Sequence, residues 1–193
     1  MRPVEKSEIL TREEYEGQRP DIRRRIMAAK AKRRVAVGEH CTFHFEDRDT
    51  MIYQVHEMLR AEGSWLRPGA IEDELSAYNP IVPKEGELSA TVMFEYATEH
   101  ERAEMLPRLV GIDRHIWLQI GECAPNLALL DRGQIDAHKV SSVQYARWAL
   151  SPGERSVLKR EGTVLRLRID HPAYQAQAVV SEETRRSIMS DPD

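Results

Sequence analysis

Glu46, Arg48, Tyr53, Gln54, Glu57 and Arg60 all fall in one short stretch, Glu46–Glu62, which reads as a strand end, a tight turn and the first turns of a helix. Ionisable side chains at this density are costly to bury unless they partner one another. The stretch is therefore either a solvated helix face or a built site. Tyr53, Glu57 and Arg60 follow one another at helical spacings of four and three residues, which puts them on one polar face. Arg48 precedes the helix, and Glu95 points from a neighbouring strand together with Ser89 and Thr91. An Arg fork can grip a carboxylate or phosphate through two parallel hydrogen bonds. Arg48, Tyr53, Gln54, Glu57, Arg60 and Glu95 thus form a candidate pocket for a small ligand. The same residues also fit an exposed ion pair of little value, or a buried network that fixes the helix on a sheet.

Metal chemistry is a second candidate. His40, His44 and Glu46 share one face of a strand, and two His with a carboxylate is a set that holds non-haem iron or zinc. Alternate strand positions lie about 7 Å apart, so His44 and Glu46 could converge on one ion while His40 sits too far along. His56 or Glu57 from the next helix would have to complete the set. The plain alternative is a solvated strand face. His171 in Asp170-His-Pro172 reads as a turn residue after a strand, and His100, His115 and His138 as surface or structural residues. No Gly-x-Ser-x-Gly elbow, Cys–His signature or Gly-x-Gly loop supports nucleophilic or phosphate chemistry.

The elements that must position these groups follow from periodicity. His40–Asp47 alternates, with Cys41, Phe43 and Phe45 on one face and His40, Thr42, His44 and Glu46 on the other, as in a half-buried strand. Asp49 or Thr50 caps the following helix, whose buried stripe is Ile52, Val55 and Leu59, and Gly63 ends it. Upstream, Thr11-Arg-Glu-Glu14 is a capping box for a short helix ending near Gly17. A second helix, Asp21–Arg33, starts behind Pro20 and carries only a narrow apolar stripe of Ile22, Ile26, Met27 and Lys30. Further helices are expected at Pro68–Tyr78, Glu99–Leu109, Ser151–Arg160 and Glu182–Met189. Strands are expected at Leu88–Tyr96, His115–Gly121, Leu127–Asp131, Val140–Leu150, Thr163–Asp170 and Tyr174–Val180. The regular βα alternation of a doubly wound sheet is absent. The expectation is an α+β fold: an antiparallel sheet partly covered by helices, with a helical arm over residues 1–34 and one domain over 35–193.

Charge separates the same two parts. The whole chain carries −4, but residues 1–34 hold a balance of +5 and the remainder −9. Arg23, Arg24, Arg25, Arg33 and Arg34 therefore form a candidate docking face for an acidic partner or a second copy of the chain, pointing to a homo-oligomer. Nucleic acid is the weaker alternative, because no aromatics interleave with the basic residues and no DNA- or RNA-binding motif accompanies them. Cys41 and Cys123 stand apart at no metal or redox spacing, and Cys41 reads as a small buried hydrophobe. With no apolar run long enough to span a bilayer and no signal-like leader, a cytoplasmic location is expected.

Several runs resemble a bacterial domain-of-unknown-function family of about this whole length. They are Phe45-Glu-Asp-Arg-Asp-Thr50, Tyr53-Gln-Val-His-Glu-Met-Leu-Arg-Ala-Glu62, Glu74-Leu-Ser-Ala-Tyr-Asn-Pro80, Glu87-Leu-Ser-Ala-Thr91, Val143-Gln-Tyr145 and Ile169-Asp-His-Pro172. The resemblance implies no defined activity. Its members are often encoded beside rubrerythrin-like and iron–sulfur proteins, which implies a role near peroxide defence or electron transfer and a partner of that kind. The expectation is an accessory protein that binds a partner or small ligand. The alternative is a metal-dependent or redox-linked enzyme centred on Glu46–Arg60.

Overall fold

The computed structural model describes residues 1–131 and 140–193, so His138 lies outside the described residues. In chain order the helices and strands are α1 (Arg12–Lys32), β1 (Arg34–Ala36), β2 (Cys41–Glu46), α2 (Arg48–Ala61), α3 (Ala70–Tyr78), β3 (Glu87–Phe94) and α4 (Glu99–Arg108). They continue with β4 (Ile116–Ile120), β5 (Asn126–Leu127), β6 (Leu129–Leu130), β7 (Val143–Ala149), α5 (Pro152–Lys159), β8 (Leu165–His171), β9 (Tyr174–Val180) and α6 (Glu182–Ile188). The fold is α+β, and every strand pairing among the described residues is antiparallel.

Two sheets form rather than one. The first has the order β1-β2-β3-β7-β6 and the second β5-β4-β8-β9. The run expected as a single strand over Leu127–Asp131 divides between them. Asn126–Leu127 pairs with β4, Leu129–Leu130 pairs with β7, and buried Ala128 is the step from one sheet to the other. The inner face of the first sheet (Phe43, Phe45, Leu88, Val92, Phe94, Trp148) shares one core with Ile116, Leu118, Ile120, Leu165, Leu167 and Ile169 of the second. Cys41 belongs to that core, where burial pushes its thiol pKa up and leaves it unreactive.

The other face of the first sheet carries Thr42, His44 and Glu46 from β2, Ser89, Thr91 and Met93 from β3, and Val143, Tyr145 and Arg147 from β7. Register aligns His44 with Thr91 and Thr91 with Tyr145, and likewise Glu46 with Ser89 and Ser89 with Arg147. This face is where the helices gather. The cap of α2 is Asp47, ahead of the expected Asp49 or Thr50; its carboxylate accepts from the Thr50 N–H at 2.8 Å while Thr50 Oγ1 accepts from the Asp47 N–H at 2.9 Å. Met51, Val55 and Leu59 of α2 pack with Ala70 and Leu75 of α3, with Ile81 and Val82, and with Val4 of the N-terminal segment.

The two helices expected on either side of Gly17–Pro20 are one continuous α1. Proline inside a helix removes a hydrogen bond and crowds the preceding turn. Packing offsets that cost, since Tyr15 and Ile26 are buried and Arg19 and Glu16 bond to side chains of α2. The arm is thus laid against the body.

Arg33, placed by sequence on a docking face, is only 3 % exposed and unavailable for docking. Its Nε donates to the Phe45 carbonyl at 2.9 Å, one terminal nitrogen to the Glu46 carbonyl at 3.1 Å and the other to the Ser187 carbonyl at 2.6 Å. The same guanidinium pairs with buried Asp191. One side chain thereby joins the end of α1, the end of β2 and the C-terminal segment around α6. Removing one member of a buried ion pair strands the other, so Arg33→Met is expected to cost about 3–5 kcal/mol. Arg25→Met, at an exposed position of α1, is expected to stay within about 0.5 kcal/mol. Urea unfolding of the two variants checks this, and equal midpoints would deny Arg33 its structural role.

Candidate functional site

Between the C-terminal half of α1 and the outer face of the first sheet lies a cavity of about 540 Å³. His44 and Glu46 of β2, Thr91 and Met93 of β3, and Val143 and Tyr145 of β7 form its floor. Met27, Lys30 and Ala31 of α1, with Arg34 just beyond, close one side; Met51 and Gln54 of α2 and the Tyr78–Ile81 turn close the other. Three methionines, two tyrosines, a valine and an isoleucine make most of the wall apolar. A volume of this size, with few polar groups on an apolar wall, suits a small organic ligand.

Glu46 is the unusual member. It is 3 % exposed. Its Oε1 accepts from the Thr91 hydroxyl at 2.7 Å, while its Oε2 has no hydrogen-bond partner among the described residues. The Lys30 ammonium stands 3.9 Å from that oxygen, beyond hydrogen-bonding distance. A desolvated carboxylate oxygen without a donor costs free energy on the order of 1–3 kcal/mol, more if the group is charged. Beside it, burial holds the His44 imidazole below its ordinary pKa and so favours the neutral ring, although the Glu46 charge works the other way.

The residues chosen from sequence divide in three. Gln54, His44 and Glu46 line the cavity, and so does Arg34 from the docking set. The rest of the polar face of α2 is consumed by partners from the N-terminal segment and α1. Arg48 pairs with Glu8 and donates to the Arg2 carbonyl at 3.2 Å. Arg60 donates to Glu16 at 2.9 Å instead of to Glu57. Glu57 accepts two bonds from Arg19, both at 2.8 Å, and one from the Tyr15 hydroxyl at 2.6 Å. Tyr53 is buried beside that network, and Glu95 accepts from the Thr42 hydroxyl at 2.6 Å. These contacts tie α2 to α1 and to the N-terminal segment, and Glu95 to β2.

His56 does not join His44 and Glu46. Its Nε2 accepts from the Leu10 N–H at 2.9 Å, its Nδ1 donates to the Ile52 carbonyl at 2.7 Å, and its ring stacks on Tyr15. With both nitrogens used, it has none left for a metal. Among the described residues no three His, Cys, Asp or Glu side chains come together as a metal-binding group. Arg23, Arg24 and Arg25 are exposed on α1.

Sequence reasoning sets Thr91 beside the candidate pocket but misses Met27, Lys30, Ala31, Met51, Tyr78, Ile81, Met93, Val143 and Tyr145 as cavity residues. A signal was present: Met93, Val143 and Tyr145 are large apolar side chains on the strand face opposite the core, where an exposed sheet would carry polar ones.

Residues 3–192 match a family described as "Protein of unknown function (DUF3501)". The chain belongs to that family. A crystal structure described as a novel protein of unknown function from Burkholderia pseudomallei K96243 is similar over 100% of both chains, at 34% sequence identity and a TM-score of 0.91. No curated protein matches. In this DUF3501 chain the runs that carry the resemblance include the β2–α2 junction and most of α2, both tied to α1. No described helix is long and apolar enough to cross a membrane.

The Glu57 network predicts an acid response. The Arg19 hydrogen bonds, with help from Tyr15, lower the Glu57 carboxyl from its usual 4.5 to about 2. A depressed carboxylate stabilises the fold above its unfolded pKa, and that contribution disappears as the pH falls from about 4.5 toward 2. Glu57→Gln is expected to cost on the order of 2 kcal/mol at pH 7, with the deficit closing across the acid window. Urea unfolding at a series of pH values measures this; a deficit independent of pH would contradict the assignment.

Proposed function

We propose that this protein binds a small, largely apolar ligand in the cavity between α1 and the outer face of the first sheet, and that it acts as an accessory binding protein. The observation that carries the reading is Glu46, a buried carboxylate with one oxygen lacking a donor at the floor of an apolar chamber. Native structures rarely leave such a group unpaired, and where they do the group commonly serves a site. A ligand that brings a donor satisfies it. Methionine and tyrosine walls support the same reading, because flexible thioethers and flat rings adapt to an organic body.

Arg23, Arg24 and Arg25 give the accessory role a docking face for an acidic partner chain. The rubrerythrin-like or iron–sulfur partners implied by the resemblance are the class to try first.

The test fills the chamber. Ala31 is exposed yet borders the cavity, so Ala31→Trp blocks it without disturbing the core. The neutral, environment-sensitive dye N-phenyl-1-naphthylamine is expected to bind the native protein saturably, with its affinity lowered at least about tenfold in Ala31→Trp and unchanged in Arg25→Met. Dye binding that ignores Ala31→Trp would sink the cavity as a site.

A further inference from the structure

Among the described residues three charged side chains border the cavity, and none is hydrogen-bonded to an opposite charge. Glu46 Oε2 has no donor, Lys30 Nζ is 3.9 Å from it, and Arg34 lies 3.7 Å from Glu95. Each separation exceeds hydrogen-bond length. The cavity thus presents an acceptor at its floor and two cationic donors on the α1 side, set in an apolar wall. We infer that the ligand is an amino-acid-type zwitterion with an apolar side chain, its ammonium donating to Glu46 Oε2 and its carboxylate accepting from Lys30 and Arg34. This inference rests on the cavity being a ligand site.

The Glu46–Lys30 pair selects this class over simpler ones. An amine alone would satisfy Glu46 but meet the like charge of Lys30. A carboxylic acid alone would satisfy Lys30 and meet the like charge of Glu46. Like charges this close in a desolvated site oppose binding. A zwitterion brings no net charge into the chamber and places each of its ends against the opposite sign. An α-amino acid carries both groups on one carbon, which suits two protein charges only 3.9 Å apart. Its side chain then lies against Met27, Met93 and Tyr145, where aromatic or thioether contact adds affinity. Thr91 holds the other Glu46 oxygen at 2.7 Å and so fixes the carboxylate for the incoming ammonium.

A matched trio tests the class: L-phenylalanine, 2-phenylethylamine and 3-phenylpropionate, titrated calorimetrically and by displacement of N-phenyl-1-naphthylamine. L-Phenylalanine is expected to bind at least about tenfold more tightly than either one-charge analogue, as one charge-assisted hydrogen bond would give. Lys30→Met is expected to abolish that advantage over the amine, and Glu46→Gln the advantage over the acid. Should Glu46→Gln fail to fold, Lys30→Met, at a half-exposed helix position, still decides the matter. An amine or acid that matches L-phenylalanine overturns the zwitterion. So does a chamber that binds the dye, loses it in Ala31→Trp, and ignores all three probes; the cavity reading survives that result. If dye binding is indifferent to Ala31→Trp, the cavity reading fails and this inference falls with it.

Discussion

A guanidinium buried to 3 % exposure must find acceptors for a fork of five N–H groups, and Arg33 finds them in three parts of the chain at once. Its partners are the carbonyls of Phe45 and Glu46 at the end of β2, the carbonyl of Ser187 in α6, and the carboxylate of Asp191. Burial pushes the Asp191 carboxyl up to about 6, against the pull of Arg33, so desolvation outweighs the pairing for that group. A buried pair of this kind is poor evidence of net stability. Its effect is to set geometry: the end of α1 cannot slide along the sheet without stranding a charge. Lys30, three residues before Arg33, is thereby held 3.9 Å from the Glu46 carboxylate, and Arg34, the next residue, opposite His44 at the cavity edge.

α1 is held again near its other end by Tyr15, Arg19 and Glu57, which bond to one another across to α2. Ile26 is buried between the two attachments, and beyond it the helix carries Met27, Ala28, Ala29 and Ala31 toward the Arg33 clasp. Small residues on a helix fixed at both ends do not reach the sheet below. The sheet face beneath them bears Thr91, Met93 and Tyr145, which do not fill the gap either, and the cavity is what remains. α2 borders it only through Met51 and Gln54, because Val55 and Leu59 of its apolar stripe pack with α3 and Val4.

Much of this architecture was legible in the sequence, and the exceptions have physical causes. The alternation of Cys41, Phe43 and Phe45 against Thr42, His44 and Glu46 identified a strand with a core face and a second face. The step at Ala128 between two sheets has no local signature, since it depends on which strand each half meets. Pro20 is a breaker by propensity, but tertiary contacts on both sides overrode it. At the site, the dense polar face of α2 drew attention because its members lie close in sequence. Their partners Glu8, Tyr15, Glu16 and Arg19 lie about 40 residues upstream, a distance that local spacing does not reveal. His44 and Glu46, set on one strand face by alternation, both line the cavity but form no metal-binding group among the described residues. By sequence Arg34 belongs to the basic arm and Lys30 to the stripe of its second helix, since nothing local shows that α1 folds back over β2.

Glu46 belongs to the clasp and the cavity together. Its backbone carbonyl accepts from Arg33, while its side chain, on the outer face of the sheet, faces the chamber with one oxygen unmet. The strand alternation that buries Phe45 in the core is therefore what aims the next side chain at the site. A protein that kept this carboxylate only for structure would gain by giving it a second donor, or by replacing it with an apolar residue of similar size. An occupant that supplies the donor stabilises the folded state by mass action in proportion to its own affinity. A donor brought to that oxygen would offset the cost of leaving it unmet, and the Arg33 clasp on the Glu46 carbonyl fixes the backbone that carries it.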